Sequence, residues 1–176
     1  GQSGNCTISG SVLGTLRGTH NECGGTYTER WSFTDSCGRT INTSRVITVT
    51  PAPQAVFAAV NNITITCEQA DQLGATTINY SNGETGNCTI AGSVLGTLTG
   101  THNECGGAYT ESWSFTDSCG RTINTSRTIT VTPAPVATFA AVNNITINCE
   151  QADQLAATTI NYSNGQSGNC TISGSV

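Results

Sequence analysis

Apolar and polar residues alternate over short stretches of this chain, most clearly at 107–117, where Tyr109, Trp113 and Phe115 fall on one face of an extended strand. No stretch shows the 3.6-residue spacing of an amphipathic helix. The alternation predicts strands at about 61–67, 75–80, 88–95, 107–117 and 121–132, and a less distinct one at 96–101. The pattern therefore predicts an all-β protein.

The strands at 107–117 and 121–132 are expected to form a hairpin. A three-residue loop, Ser118-Cys119-Gly120, with Gly120 in the left-handed region, would bring their apolar faces into register. This register sets Glu111 opposite Arg127, and by repetition it sets Glu29 opposite Arg45. We therefore predict two cross-strand ion pairs, Glu111 with Arg127 and Glu29 with Arg45.

The chain is a tandem repeat. Residues 1–82 recur at 83–164 with eleven differences and no gap, and GQSGNCTISGSV both opens and closes the sequence. This repetition predicts that the 176 residues are a window on a longer array. The proline motif TPAP follows a strand-like run in each copy and predicts the domain boundaries. The expected domains are the C-terminal part of one repeat at 1–52, a complete repeat at 53–134 and the N-terminal part of the next at 135–176.

Short alternating strands, separated by Gly, Asn and Ser turns, are typical of a β-sandwich. We expect tandem immunoglobulin-like antiparallel β-sandwiches of about 82 residues per repeat, each with two disulfides. Four cysteines per repeat favour disulfides and an oxidising compartment.

Four cysteines in a domain allow three pairings. In an up-and-down sandwich, Cys67 and Cys105 would lie at one pole, and Cys88 and Cys119 at the other. Partners at the same pole can reach each other, so we predict the bridges Cys67–Cys105 and Cys88–Cys119. Repetition adds Cys6–Cys37 and leaves three cysteines of the window without a partner: Cys23, Cys149 and Cys170.

Charge and hydropathy narrow the choice of partners. The net charge is −5 and only 10% of residues are charged, which argues against binding to nucleic acid or to an anionic membrane. No apolar run approaches the roughly 18–20 residues that span a bilayer, so we expect no membrane insertion in this segment.

Few residues suggest site chemistry. His102, Glu104 and Cys105 could be imagined as zinc ligands, but their spacing matches no zinc pattern. Trp113 and Tyr109 could stack on a sugar, although their alternation with Phe115 favours a place in the core. The acidic residues lack the carboxylate-rich run that calcium prefers; they are Asp71, Asp117, Glu68 and Glu104. We expect no catalytic residue, cofactor or metal.

Residues 23–53, 105–135 and 62–73, with their CGG, TDSCG and NITITCEQADQL motifs, give the chain a family resemblance. It resembles the hyalin-repeat-like, immunoglobulin-related domains of very large Bacteroidota surface proteins, which include gliding-motility adhesins. The resemblance covers the whole repeat. It implies type IX secretion, extracellular display on a bacterial cell through an outer-membrane attachment outside this chain, and a spacing or adhesive role without catalytic residues.

These expectations lead to two functions from different classes. In the first, the repeats form the stalk of a surface adhesin filament, contact chiefly their neighbouring repeats, and hold at the tip a group that binds a glycan or a protein. In the second, each repeat binds a glycan or protein through the loops at 81–88 and 98–107, so that avidity rises with repeat number.

Overall fold

The computed structural model describes residues 7–176, which form short β-strands and two four-residue helices, α1 (Cys67–Ala70) and α2 (Cys149–Ala152). The all-β prediction is confirmed. No helix in this part of the chain is long and apolar enough to cross a membrane. In chain order the strands are β1 (Thr15–Asn21), β2 (Gly24–Thr34), β3 (Thr40–Val49), β4 (Val56–Phe57), β5 (Ile63–Ile65), β6 (Thr77–Ser81), β7 (Ala91–Leu95), β8 (Thr97–Asn103), β9 (Gly106–Thr116), β10 (Thr122–Val131), β11 (Thr138–Phe139), β12 (Asn161–Ser163) and β13 (Ser173–Ser175).

The described strands form four sheets with the orders β1-β2-β3, β5-β10-β9-β8, β4-β6-β7 and β11-β12-β13. Neighbouring strands such as β1 and β2, β2 and β3, and β8 and β9 run antiparallel. The expectation of purely antiparallel sheets is wrong at one pair, because β5 lies parallel to β10, with Ile63 opposite Ile129. β5 is therefore an added strand at the edge of the hairpin sheet.

The hairpin prediction is confirmed in register and in its turn. In the first copy Glu29 lies opposite Arg45, and Phe33 lies opposite Ile41. Gly38 and Gly120 both have φ +78°, the left-handed conformation that the turn requires and that other residues adopt at a cost. The hydrophobic pattern and the loop length were therefore sufficient to predict the register of this hairpin.

All six strands predicted within residues 53–134 are present, with shifted bounds. The less distinct stretch at 96–101 is the full strand β8. The strand expected at 61–67 stops at Ile65, because Thr66 caps α1. The Thr66 side chain accepts a hydrogen bond from the Gln69 N–H, and the Gln69 side chain accepts one from the Thr66 N–H. This capping box converts the end of the expected strand into a helical turn that begins at Cys67.

The residues form two compact units that alternate along the sequence. Unit 1 comprises 1–58, 79–93 and 115–123, and unit 2 comprises 59–78, 94–114 and 124–176. Each unit combines segments that the TPAP boundaries at 52 and 134 would separate. The buried core of unit 1 contains Ala52, Ala55 and Ile90, and that of unit 2 contains Val131, Ala70 and two cysteines, Cys67 and Cys170.

The TPAP motif is part of a core. Ala52 donates its N–H to the Glu22 carbonyl and is buried, as is Ala55. Ala134, the counterpart of Ala52, donates in the same way to Glu104. The prolines end the β3 and β10 ladders as expected, and the residues after them pack against the fold.

Candidate functional site: covalent bridges between successive copies

Two disulfides join residues of successive copies of the repeat, when the copies are divided at the TPAP motifs into 1–52, 53–134 and 135–176. Cys23 bonds to Cys119 across 96 residues, and Cys67 bonds to Cys170 across 103 residues. Both separations exceed the 82-residue repeat. The Cα–Cα distances of 5.4 and 5.8 Å lie in the usual range for disulfides. Each bridge therefore links one copy to the next.

The predicted pairing of the cysteines is wrong. Cys67–Cys105 and Cys88–Cys119 do not form, because Cys67 and Cys119 are bonded elsewhere. Among the described residues the free cysteines are Cys37, Cys88, Cys105 and Cys149. Cys6, the predicted partner of Cys37, lies outside the described residues. The prediction failed because it assumed that each repeat closes its own fold, whereas both compact units gather segments from successive copies.

The Cys67–Cys170 bridge lies in the core of unit 2. Both cysteines are buried, and Ala70 and Val131 pack in the same cluster. The capping box of α1 fixes Cys67 as the first helical residue. On the other side, a 3₁₀ turn at Gly168–Cys170 presents Cys170. Two local backbone motifs, one from each copy, therefore hold the sulfur atoms in place.

His102 lies beside this bridge. Its Nε2 atom is 3.1 Å from Asp71 Oδ1, and its Nδ1 atom is 2.8 Å from the Tyr109 hydroxyl. The sulfurs of Cys67 and Cys170 and a ring nitrogen of His102 lie within 4.8 Å of one another. Thiolates and imidazole are zinc ligands, but the two sulfurs are bonded to each other. In the oxidised protein this cluster is a structural bridge, and His102 holds Asp71.

The sequence analysis weighed a different set of zinc ligands, in which His102 stood with Glu104 and Cys105. The structure instead brings His102 to Cys67 and Cys170, while Cys105 is an exposed thiol. No feature of the sequence could single out this set, since nearly every residue recurs in each copy. Of the acidic residues that were weighed and rejected as calcium ligands, Asp71 also accepts a hydrogen bond from Asn169, and Asp117 pairs with Arg121.

The Cys23–Cys119 bridge in unit 1 is surrounded by polar contacts. The Ser118 hydroxyl donates to the Glu22 carboxylate, and this hydrogen bond lowers the pKa of Glu22. Asp117 accepts hydrogen bonds from the N–H groups of Cys119 and Arg121. Arg121 Nη1 donates to the Ala52 carbonyl at 2.6 Å. The hairpin turn of the second copy is therefore fixed to the first copy by one covalent bond and several hydrogen bonds.

The predicted ion pairs are confirmed in both copies. Arg45 Nη2 and Arg127 Nη2 each lie 2.7 Å from the partner carboxylate, Glu29 and Glu111 respectively. The pairs differ in burial: the Arg45 side chain is 63% exposed, whereas the Arg127 side chain is 17% exposed and Glu111 is fully buried. The sequence predicted the partners in both pairs. How far each pair is buried depends on whether another segment of the chain covers it.

Thr76 completes the buried pair in unit 2. Its N–H and hydroxyl donate to Glu111, and its carbonyl accepts from Trp113 Nε1 at 2.9 Å. Burial alone would raise the pKa of Glu111, but the hydrogen bonds from Thr76 and the charge of Arg127 outweigh it and lower that pKa. Trp113 is 2% exposed, which confirms its interpretation as a core residue. The segment 62–76 therefore covers the face of β9 and β10 that carries Glu111, Trp113 and Ile129.

No family model, no curated protein sequence and no solved structure matches this chain.

Proposed function

We propose that the chain is a load-bearing segment of an extracellular filament, the stalk of a bacterial surface adhesin built from immunoglobulin-like repeats. The observation that carries this proposal is the pair of bridges between successive copies, Cys23–Cys119 and Cys67–Cys170. A stalk must transmit tension from copy to copy, and a covalent bond between copies does so even when the intervening chain unfolds. The composition, rich in hydroxyl side chains and with only 10% charged residues, suits an exported protein.

The two bridges overlap along the chain, and this overlap limits extension. Cys67 lies inside the loop that Cys23–Cys119 closes, and Cys119 lies inside the loop that Cys67–Cys170 closes. A force applied outside Cys23 and Cys170 therefore passes through a bridge and cannot straighten the whole chain. The Cys67–Cys170 bond alone removes a 103-residue detour, about 350 Å of extended chain.

Pulling on single molecules through the two ends of the chain tests this mechanism. Under oxidising conditions, complete unfolding should release about 350 Å less chain than after reduction. The result follows from covalent connectivity, whichever contacts break first. Equal extensions before and after reduction would contradict a load-bearing role for the bridges.

Labelling of intact cells of the source organism tests the proposed location. An antibody raised against this chain should bind cells whose envelope has not been permeabilised. Removal of the antigen by an external protease should follow. Labelling that requires permeabilisation would contradict display on the surface.

A further inference from the structure

The Cys67–Cys170 bridge lies among groups that bind metal ions in proteins. The two sulfur atoms and a ring nitrogen of His102 lie within 4.8 Å of one another. Asp71 Oδ1 is 3.1 Å from His102 Nε2, and Asp71 Oδ2 is 3.9 Å from the sulfur of Cys170. Two sulfurs, an imidazole and a carboxylate, all from unit 2, therefore face one another.

Local backbone structure holds each of these four side chains. Cys67 and Asp71 are the first residue and the C-cap of α1, His102 lies on β8, and Cys170 ends the 3₁₀ turn. The turn packs directly on the carboxylate, because a Cβ atom at Gly168 would collide with Asp71. Four ligands held in this way form a preorganised site, which costs less to order when an ion binds.

Burial makes the cluster a largely dry site that still has one open side. Both cysteines are buried, and the His102 side chain is 2% exposed. The Asp71 side chain is 18% exposed and is the part of the cluster in contact with solvent. An ion therefore reaches the sulfurs past Asp71.

Tyr109 holds the ring of His102 from the other side. His102 Nδ1 is 2.8 Å from the Tyr109 hydroxyl, which can donate or accept a hydrogen bond. When Nε2–H donates to Asp71, the hydroxyl donates to Nδ1. When Nε2 binds a metal ion, Nδ1–H donates to the hydroxyl oxygen, and such an outer partner is usual for metal-binding histidines. The ring thus keeps its position in both states.

We propose that Cys67, Cys170, His102 and Asp71 bind one zinc ion when the bridge is reduced. Thiolate and imidazole ligands favour zinc over calcium or magnesium, and four ligands suit its tetrahedral coordination. Zn–S bonds of about 2.3 Å place two thiolates about 3.8 Å apart. Rotation of the two side chains gives this separation while the Cα atoms stay 5.8 Å apart. The zinc site goes beyond the stalk function.

The ion joins the same two copies as the disulfide. Cys67, Asp71 and His102 belong to residues 53–134, whereas Cys170 belongs to residues 135–176. Disulfides do not persist in a reducing compartment, so zinc can join the copies before the export that the stalk function requires. The disulfide then replaces the ion.

Zinc and the disulfide exclude each other. A dithiol or phosphine reductant supplies two electrons, and with two protons the S–S bond becomes two thiols. Zinc displaces both thiol protons to solvent when it binds. In the reverse direction a disulfide oxidant takes two electrons from the thiolates and two protons from solvent and becomes two thiols, while the S–S bond forms and the ion leaves.

The Cys23–Cys119 bridge provides a matched control within the same chain. Its polar neighbours are Ser118 and Glu22. Among the described residues, only the cluster of Cys67, His102 and Cys170 brings together three groups that could hold a metal ion. Of the two reduced bridges, only the one in unit 2 should therefore bind zinc tightly.

Cobalt titration of the reduced protein tests the site. The chain is reduced with a phosphine without oxygen and titrated with Co²⁺ and then with Zn²⁺, which binds such ligands more tightly. The first equivalent of Co²⁺ should give the visible bands of tetrahedral cobalt and a thiolate-to-cobalt charge-transfer band, and Zn²⁺ should abolish both. Absence of the charge-transfer band, whether the reduced chain is folded or not, would overturn the proposal.

Variants assign the ligands. Cys170→Ser should lower the affinity for Co²⁺ about tenfold or more and remove about half of the charge-transfer intensity, because one of two thiolates is lost. His102→Asn should lower the affinity but keep the charge-transfer intensity per bound ion. Cys119→Ser, the matched control, should change neither quantity. Equal effects of Cys170→Ser and Cys119→Ser would show binding to cysteines in general and overturn the assigned site.

Oxidation of the zinc-loaded protein gives an independent readout. Oxidised glutathione should release one zinc ion for each Cys67–Cys170 bond that forms. A chromogenic chelator measures the released zinc, and peptide mapping without reduction measures the bond. Zinc that stays bound after this bond has formed would contradict the proposal.

Discussion

At the residue scale, one ion pair occurs in two environments within a single chain. Arg45 is 63% exposed and its partner Glu29 is 21% exposed, whereas Glu111 is fully buried beside Arg127 and Thr76. The sequence could predict both pairs, because hairpin register follows from alternation and loop length. It could not predict their burial, because Thr76 lies 35 residues away from Glu111 and its approach depends on the packing of a separate segment.

Replacement of the two carboxylates should have unequal effects on stability. Glu111→Gln leaves Arg127 without its buried partner charge and should lower the free energy of unfolding by about 3–5 kcal/mol. Glu29→Gln changes a pair whose arginine is mostly exposed to solvent, and should cost about 1 kcal/mol or less. Urea denaturation of the two variants measures the difference. Equal losses would contradict the role assigned to the segment 62–76.

Stability should fall in acid through Glu111 and Asp117. Burial alone would raise the pKa of both carboxyl groups. Hydrogen bonds from Thr76 to Glu111 and from Arg121 to Asp117 outweigh it, so the two pKa values lie below their ordinary 4.5 and 3.8. As the pH falls, the two carboxylates therefore take up protons in the unfolded chain before they do so in the folded protein. Their contribution to stability is complete above the unfolded-state pKa values and is lost as the pH falls from those values to the folded-state ones. The melting temperature should decline below about pH 4.5. A decline of the same steepness in Glu111→Gln would show that Glu111 does not contribute.

At the element scale, the local sequence determines helical turns better than edge strands. α1 and α2 both form with a complete capping box, although α1 is packed in a core and α2 is exposed. By contrast, Ile63–Ile65 is a strand beside β10, and the same residues at 145–147 are not. A strand of three residues depends on its partner, and the alternation that predicted it shows only that it fits a sheet.

The caps of the two helices should contribute differently to global stability. Thr66→Ala removes the hydrogen bond to the Gln69 N–H and should cost about 1 kcal/mol, since α1 holds Cys67 in the core. Asn148→Ala removes the equivalent bond in exposed α2 and should loosen only that turn. Thermal unfolding tests the first effect, and amide exchange at 149–152 tests the second. A comparable drop in melting temperature for both variants would refute the distinction.

At the scale of the whole molecule, the covalent connections follow the array and not the single repeat. Sequence analysis placed the strands and the hairpins but paired the cysteines within a repeat. In nearly identical copies, Cys119 can be joined by the same reasoning to a cysteine of its own copy or of the previous one. Which of these cysteines is the actual partner depends on which copies contribute to the same core. That is decided by packing, which the local sequence does not show.

The bridges should act redundantly under load. Cys67→Ser leaves Cys23–Cys119, which removes a detour of 96 residues, and Cys23→Ser leaves Cys67–Cys170, which removes 103. Each single variant should therefore extend nearly as little as the oxidised wild type, whereas the double variant should gain about 350 Å. Single-molecule pulling measures these extensions. Additive gains from the two single variants would contradict the overlap of the loops.

The most direct test of the central claim is a disulfide map of the oxidised protein, obtained by digestion without reduction and mass spectrometry. The account predicts peptides that join Cys23 to Cys119 and Cys67 to Cys170, each from one chain. Peptides that join Cys67 to Cys105 and Cys88 to Cys119 would show instead that each repeat closes on itself, and would contradict a covalent link between successive copies.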